Sequence, residues 1–84
     1  MQPVEIENRI AAAFPDAIVR VQSDDDTHFA ALVVAREFEN LRSIARHQLV
    51  YRSLGTLVGN EIHALSIQAL TPGEWATRQP SDRA

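Results

Sequence analysis

From His28 to Leu70 the chain passes through an apolar, β-branched stretch (HFAALVVA), a segment of helical periodicity and a second apolar stretch (IHALSIQAL). No other feature constrains the fold as much. Two strands joined through a helix form a crossover, which is nearly always right-handed and sets the strands parallel. Upstream, Ala17–Gln22 alternates Val19 and Val21 with Arg20 and Gln22, the pattern of a strand wet on one face. Only Ser23-Asp24-Asp25-Asp26-Thr27 separates it from His28–Ala35, so the two are expected to form a hairpin. His28–Ala35 is apolar on both faces and is expected at the centre of the sheet.

The helices follow from periodicity and punctuation. In Pro3–Phe14, Ile6, Ile10, Ala13 and Phe14 share one face, Pro3 suits the first turn, and Pro15 ends the helix. Arg42–Val58 reads as a second helix with a buried stripe of Ile44, Tyr51, Leu54 and Val58, widened by Val50 and Leu57. Gly55 falls inside it, where it would permit close packing on the first helix, and Gly59-Asn60 ends it. Phe38 is expected to plug the core, and Asn40 suits a left-handed turn. Ile62–Leu70 is the third strand. Thr71-Pro72-Gly73-Glu74 forms a capping box for a short last helix held down by Trp75. The order is α-β-β-α-β-α: an α+β domain over residues 3–78, a three-stranded mixed sheet with helices on one face and the other face open to a partner. Residues 79–84 are expected to be a disordered tail.

Composition narrows the chemistry. The 84 residues include no Cys, so a thiolate metal or iron–sulfur site requires thiolates from another molecule. There are eight Arg and no Lys against eleven acidic residues, for a net charge of −3, which weighs against a dominant nucleic-acid role. No apolar run approaches the ~20 residues of a membrane span, and the polar, acidic start MQPVEIENR is unlike a signal or transit peptide. A cytosolic protein is expected. Nothing resembles a nucleophile constellation or phosphate-binding loop, so an enzyme is not expected.

Two histidines stand out. His63 is a polar ring in the apolar run Ile62-His63-Ala64-Leu65, either a satisfied structural residue or a ligand held rigid by the sheet. His28 lies at the mouth of the second strand beside three carboxylates, where it could bind metal or simply hydrogen-bond to the loop. The acidic loop itself lacks the spacing of a calcium loop and reads as a solvated turn. Arg42, Arg46, His47 and Arg52, on or near the second helix, are candidate phosphate contacts.

Arg46-His47-Gln48-Leu49-Val50-Tyr51, Ile62-His63-Ala64-Leu65-Ser66-Ile67 and Thr71-Pro72-Gly73-Glu74-Trp75, in this order and spacing, resemble the BolA family. His28-Phe29 and Phe38-Glu39-Asn40 match as well, with Asn40 where the family commonly has Gly. The resemblance runs from the first helix to Trp75 and implies a type II KH-like fold. It further implies a shared [2Fe–2S] cluster with a monothiol glutaredoxin and glutathione, no cluster in the isolated chain, and His63 as the iron ligand. The alternative role it implies is DNA-binding transcriptional control through the Arg-bearing second helix. The family's second ligand, a His or Cys in the first hairpin loop, is missing from SDDDT, which leaves His28 as the nearest nitrogen. The short loop is similar to the IbaG branch. Alone, the chain is expected to be a monomer or weak homodimer.

Overall fold

The computed structural model describes residues 1–78; the tail 79–84 expected from the sequence lies outside the described residues. Three helices and three strands follow in the expected order: α1 (Pro3–Ala13), β1 (Ile18–Gln22), β2 (His28–Val34), α2 (Ser43–Leu54), β3 (Ala64–Leu70) and α3 (Pro72–Arg78). The sheet order is β1-β2-β3, with β1 antiparallel to β2 and β3 parallel to it. Ala31 pairs with Val21 on one side and Ile67 on the other, so β2 is central as its apolar sequence requires.

Alternation along the strands sorts the two sheet faces. Val21, Phe29, Ala31 and Val33 are buried and form the core with Ile6 and Ile10 of α1, Val50 and Leu54 of α2, and Phe38. Leu65, Ile67 and Ala69 of β3 pack against that cluster. Phe38, in a short 3-10 turn after β2, is fully buried and meets Phe14 with ring centroids 5.4 Å apart. The rings are tilted by 56°, and inclined aromatic pairs at this separation add to the stabilisation that burial gives. Asn40 takes the expected left-handed conformation, with φ 66°. On the edge strand, the Val21 N–H donates to the Glu7 carboxylate of α1 at 2.9 Å, so α1 satisfies an edge donor as well as covering the core.

Three expectations for the second helix and third strand need correction. First, α2 ends at Leu54, not Val58. Gly55 stands at its C-cap with φ 59° and ψ −131°, and a Cβ there would meet nothing within 4 Å. Its role is therefore backbone conformation and not close packing on α1. Second, Ile44 and Tyr51 are not in the buried stripe: they are 68% and 41% exposed. The stripe that reaches the core is Val50 and Leu54, with Leu57 after the helix end. Ile44 and Tyr51 share one side of α2, but the side that packs on the sheet is the one roughly 90° round the axis that carries Val50 and Leu54; only Val58 is taken off the helix axis by the end at Leu54. Third, β3 begins at Ala64, two residues later than expected. The Ile62 N–H donates to the Leu57 carbonyl at 2.9 Å and its carbonyl accepts from Gly59 at 2.8 Å, so a tight turn uses the backbone groups a strand would need. Ile62 is nevertheless fully buried, as a plug in the core.

The capping box forms as the sequence predicts: the Thr71 N–H donates to Glu74 at 2.9 Å, and the Glu74 N–H donates to the Thr71 hydroxyl at 3.1 Å. Glu74 also receives the Arg46 guanidinium at 2.7 Å. Arg46 donates in addition to the Leu41 and Ala69 carbonyls at 2.9 and 3.0 Å, tying the start of α2 to β3 and α3. The Arg46 hydrogen bond, followed by that from the Thr71 N–H, lowers the Glu74 pKa from 4.5 to about 2. A carboxylate depressed in the folded state adds stability above its unfolded pKa and loses it as pH falls through the folded value. Stability is therefore expected to decline between about pH 4.5 and 2. A Glu74→Gln variant should have a lower Tm at pH 7 and a shallower decline across that window, as followed by thermal melts. A separate test addresses Gly55: Gly55→Ala should destabilise by about 1–3 kcal/mol, the cost of a strained backbone region for a residue with a Cβ, measured by urea unfolding.

Candidate functional site

Because β2 and β3 run parallel, both strands start at the same end of the sheet. His28 and Ala64 are paired there, and His63 immediately precedes Ala64. Two connections meet at this end, the hairpin loop between β1 and β2 and the turn that follows α2. The Thr27 carbonyl accepts from the His63 N–H at 3.2 Å and from the Ala64 N–H at 3.5 Å, which joins them. His63 thus lies in a bend just outside β3, and its side chain is exposed. It is not the core residue that its apolar neighbours suggested as one reading. Among the described residues, its ring makes no side-chain hydrogen bond.

The loop is ordered by two short polar side chains. Ser23 Oγ accepts from the Asp26 N–H at 2.8 Å and donates to the His28 carbonyl at 2.6 Å. Asp25 Oδ1 accepts from the backbone N–H groups of Thr27 and His28 at 3.0 and 2.9 Å. Its other oxygen, Oδ2, lies 2.7 Å from His28 Nδ1. The His28 backbone N–H, then its ring, then the Thr27 N–H hold the Asp25 carboxyl well below the usual carboxylate range. Asp26 takes a left-handed φ of 60° to complete the turn. The sequence had suggested a run of repelling, solvated carboxylates; instead one of the three, Asp25, organises the loop. A signal for this was available, since Asp side chains commonly bond to the backbone two residues on. The carboxylates do not converge on a cation: among the described residues, no group of three or more His, Cys, Asp or Glu could hold a metal ion.

The Asp25 contact fixes the His28 ring. With Nδ1–H donated to a carboxylate, Nε2 carries the lone pair, the arrangement usual for histidines that bind metals. Parity along β2 turns His28 to the sheet face opposite α1 and α2, where a shallow depression is lined by Gln22, Asp24, His28, Ala64 and Ser66. His63 does not line that depression. The two histidines are therefore backbone neighbours that differ in surroundings, His28 braced by the loop and His63 held only through its backbone.

The four candidate phosphate contacts are not equivalent. Arg46 has a side chain only 13% exposed and is occupied by Glu74 and two carbonyls. Arg42 precedes α2 and is exposed, Arg52 is exposed in its last turn, and His47 is half-buried.

The Asp25–His28 contact can be tested directly. In the neutral ring of the wild type, 15N chemical shifts should report the Nδ1–H tautomer. Asp25→Ala should move the equilibrium toward Nε2–H and raise amide exchange at Thr27 and His28, whose N–H groups lose their acceptor.

Comparison with known proteins agrees with this architecture. Residues 3–74 match the family described as BolA-like protein. BolA-like protein 1 of Homo sapiens is 40% identical over 62 residues, which are 74% of this chain and 45% of the human protein. The chain thus spans about half the length of such relatives. A Vibrio cholerae protein named DNA-binding transcriptional regulator BolA is 34% identical over 79 residues, covering 83% of this chain and 74% of that one. A bolA protein homologue from Coxiella burnetii superposes with a TM-score of 0.76 at 35% identity, over 90% of this chain and 97% of that one. With the order of elements, the mixed sheet and the sequence match in accord, the chain belongs to the BolA-like protein family.

Proposed function

We propose that this protein is a non-enzymatic cytosolic adaptor that shares a [2Fe–2S] cluster with a monothiol glutaredoxin, with His63 as the ligand from this chain. The observation that carries the reading is the state of His63: an exposed imidazole with its backbone pinned to Thr27 and its ring uncommitted among the described residues. A structural histidine would spend its ring nitrogens on neighbours. The absence of Cys from the sequence supports an adaptor, because the thiolates must come from glutaredoxin and glutathione. The cluster is then cargo held between two proteins, and histidine in place of cysteine on one iron raises its reduction potential. His28, with Nδ1 braced by Asp25, is the second nitrogen at this end of the sheet and takes the place of the missing loop ligand. The short SDDDT loop supports the finer assignment to the IbaG-like branch.

A second reading, a DNA-binding regulator, is favoured by the names of relatives such as the Vibrio cholerae protein. Exposed Arg42 and Arg52 are compatible with it. The net charge of −3 and the internal commitment of Arg46 weigh against it.

One experiment separates the two. The protein is mixed with cluster-loaded monothiol glutaredoxin and followed by visible circular dichroism, in parallel with DNA titrations at several salt concentrations. The adaptor reading expects a changed spectrum that His63→Ala abolishes. Because His63 is exposed, the variant should lose no more than about 0.5 kcal/mol of stability. An unchanged wild-type spectrum, together with DNA binding that persists at physiological salt and is lost in Arg42→Ala/Arg52→Ala, would make the regulator reading primary.

A further inference from the structure

From Asn40 to Asn60 the chain has no Asp or Glu, although it carries eleven acidic residues in all. The same stretch holds Arg42, Arg46, His47 and Arg52. The α2 surface is therefore locally basic in an acidic protein. Along its exposed side runs a stripe that the core does not use: Ile44, Gln48 and Tyr51. Ile44 and Tyr51 are one heptad apart, within about 20° of each other around the axis and about 10 Å apart along it. They are 68% and 41% exposed, and Ile44 is the most exposed large hydrophobic residue described. On helical geometry His47 flanks one side of the stripe and Arg52 the other. Among the described residues neither Arg42 nor Arg52 forms an ion pair.

We infer that this face of α2 is a docking surface for an acidic amphipathic segment of a partner protein, separate from the histidine-bearing end of the sheet. The apolar side chains of such a segment would lie along Ile44 and Tyr51, with its carboxylates against Arg52 and alongside His47. Helix-on-helix recognition of this kind reads anchors at i, i+4 and i+7, which is the spacing of Ile44, Gln48 and Tyr51. Tyrosine is enriched at interfaces because it offers a large apolar ring with a polar tip. Charge decides against a second copy of this chain. Pairing two α2 faces would bring Arg52 against another acid-free helix, with no carboxylate from either to neutralise it. Chemistry decides against nucleic acid on this face. Its two outer anchors, Ile44 and Tyr51, are apolar, and Arg46, in the first turn of α2, is committed to Glu74 and the Ala69 carbonyl.

The test is a titration of the full chain, 15N-labelled, with a synthetic helical peptide carrying Leu at heptad a and d positions and Glu elsewhere. Controls are a scrambled peptide of the same composition and a DNA duplex. The expected result is amide shift changes centred on Ile44, Gln48, Tyr51 and Arg52 with the amphipathic peptide and much smaller ones with the scramble. Ile44→Ser and Tyr51→Ser should each weaken the peptide by about tenfold or more, as anchors do, with no loss of thermal stability since both positions are exposed. Arg52→Gln should weaken binding chiefly at low salt. Equal shifts from the scrambled peptide, or unchanged affinity in both Ser variants, would overturn the inference. So would DNA moving the same residues more strongly than the peptide. The glutaredoxin assay on Ile44→Ser keeps this surface distinct from the proposed cluster site, since its spectrum should match that of the wild type.

Discussion

The parallel pairing of β2 and β3 is the constraint on which the site depends. It sets His28 beside Ala64, about one strand spacing or near 4.8 Å away between backbones, and His63 is the residue just before Ala64. Had the two strands paired antiparallel, the start of β3 would have lain at the far end of β2, about 20 Å away for strands of this length. The parallel arrangement requires a crossover connection, and α2 provides it. Thr27 then bonds the two strand starts across the end of the sheet, through its carbonyl. The two histidines come to the same end of the sheet because of topology, although they are far apart in sequence.

Arg46 shows how a surface charge becomes structural. Its guanidinium reaches the Leu41 carbonyl before α2, the Ala69 carbonyl in β3 and the Glu74 carboxylate in α3. Three elements are thus held by a fork of donors that a lysine could not reproduce. Glu74 in turn completes the cap of α3, so the cap and the ion pair share one carboxylate. An arginine committed in this way is lost to phosphate recognition, and the exposed positive charge at α2 falls to Arg42 and Arg52. The same helix turns Val50 and Leu54 into the core and leaves Ile44 and Tyr51 outside.

At the other end of the sheet, local chemistry achieves a comparable economy. Ser23 and Asp25 satisfy three backbone donors between them across Asp26, Thr27 and His28. Asp25 also fixes the ring of His28, so one carboxylate shapes the loop and sets a tautomer. The loop needs neither length nor glycine, since Asp26 adopts the left-handed conformation itself.

Periodicity and punctuation were enough to place every helix and strand in order, the central position of β2, the buried Phe38, the left-handed Asn40 and the capping box at Thr71. These are local properties: side-chain alternation, cap hydrogen bonds and the conformational limits of proline all act within a few residues. The motif resemblance singled out His63 as the candidate ligand, but its exposure was not legible, because an apolar neighbourhood in sequence looks the same whether a residue faces the core or the rim. Only the tertiary structure decided where α2 stops. Gly55 is compatible with both a helix interior and a cap, and the backbone route back to β3 selects the cap. Which side of α2 meets the sheet was also a tertiary matter: the wheel groups Ile44 with Tyr51, but packing turns the side of Val50 and Leu54 inward. Whether Arg46 faced solvent or bound Glu74, twenty-eight residues later, depended on the packing of three elements that no local window contains.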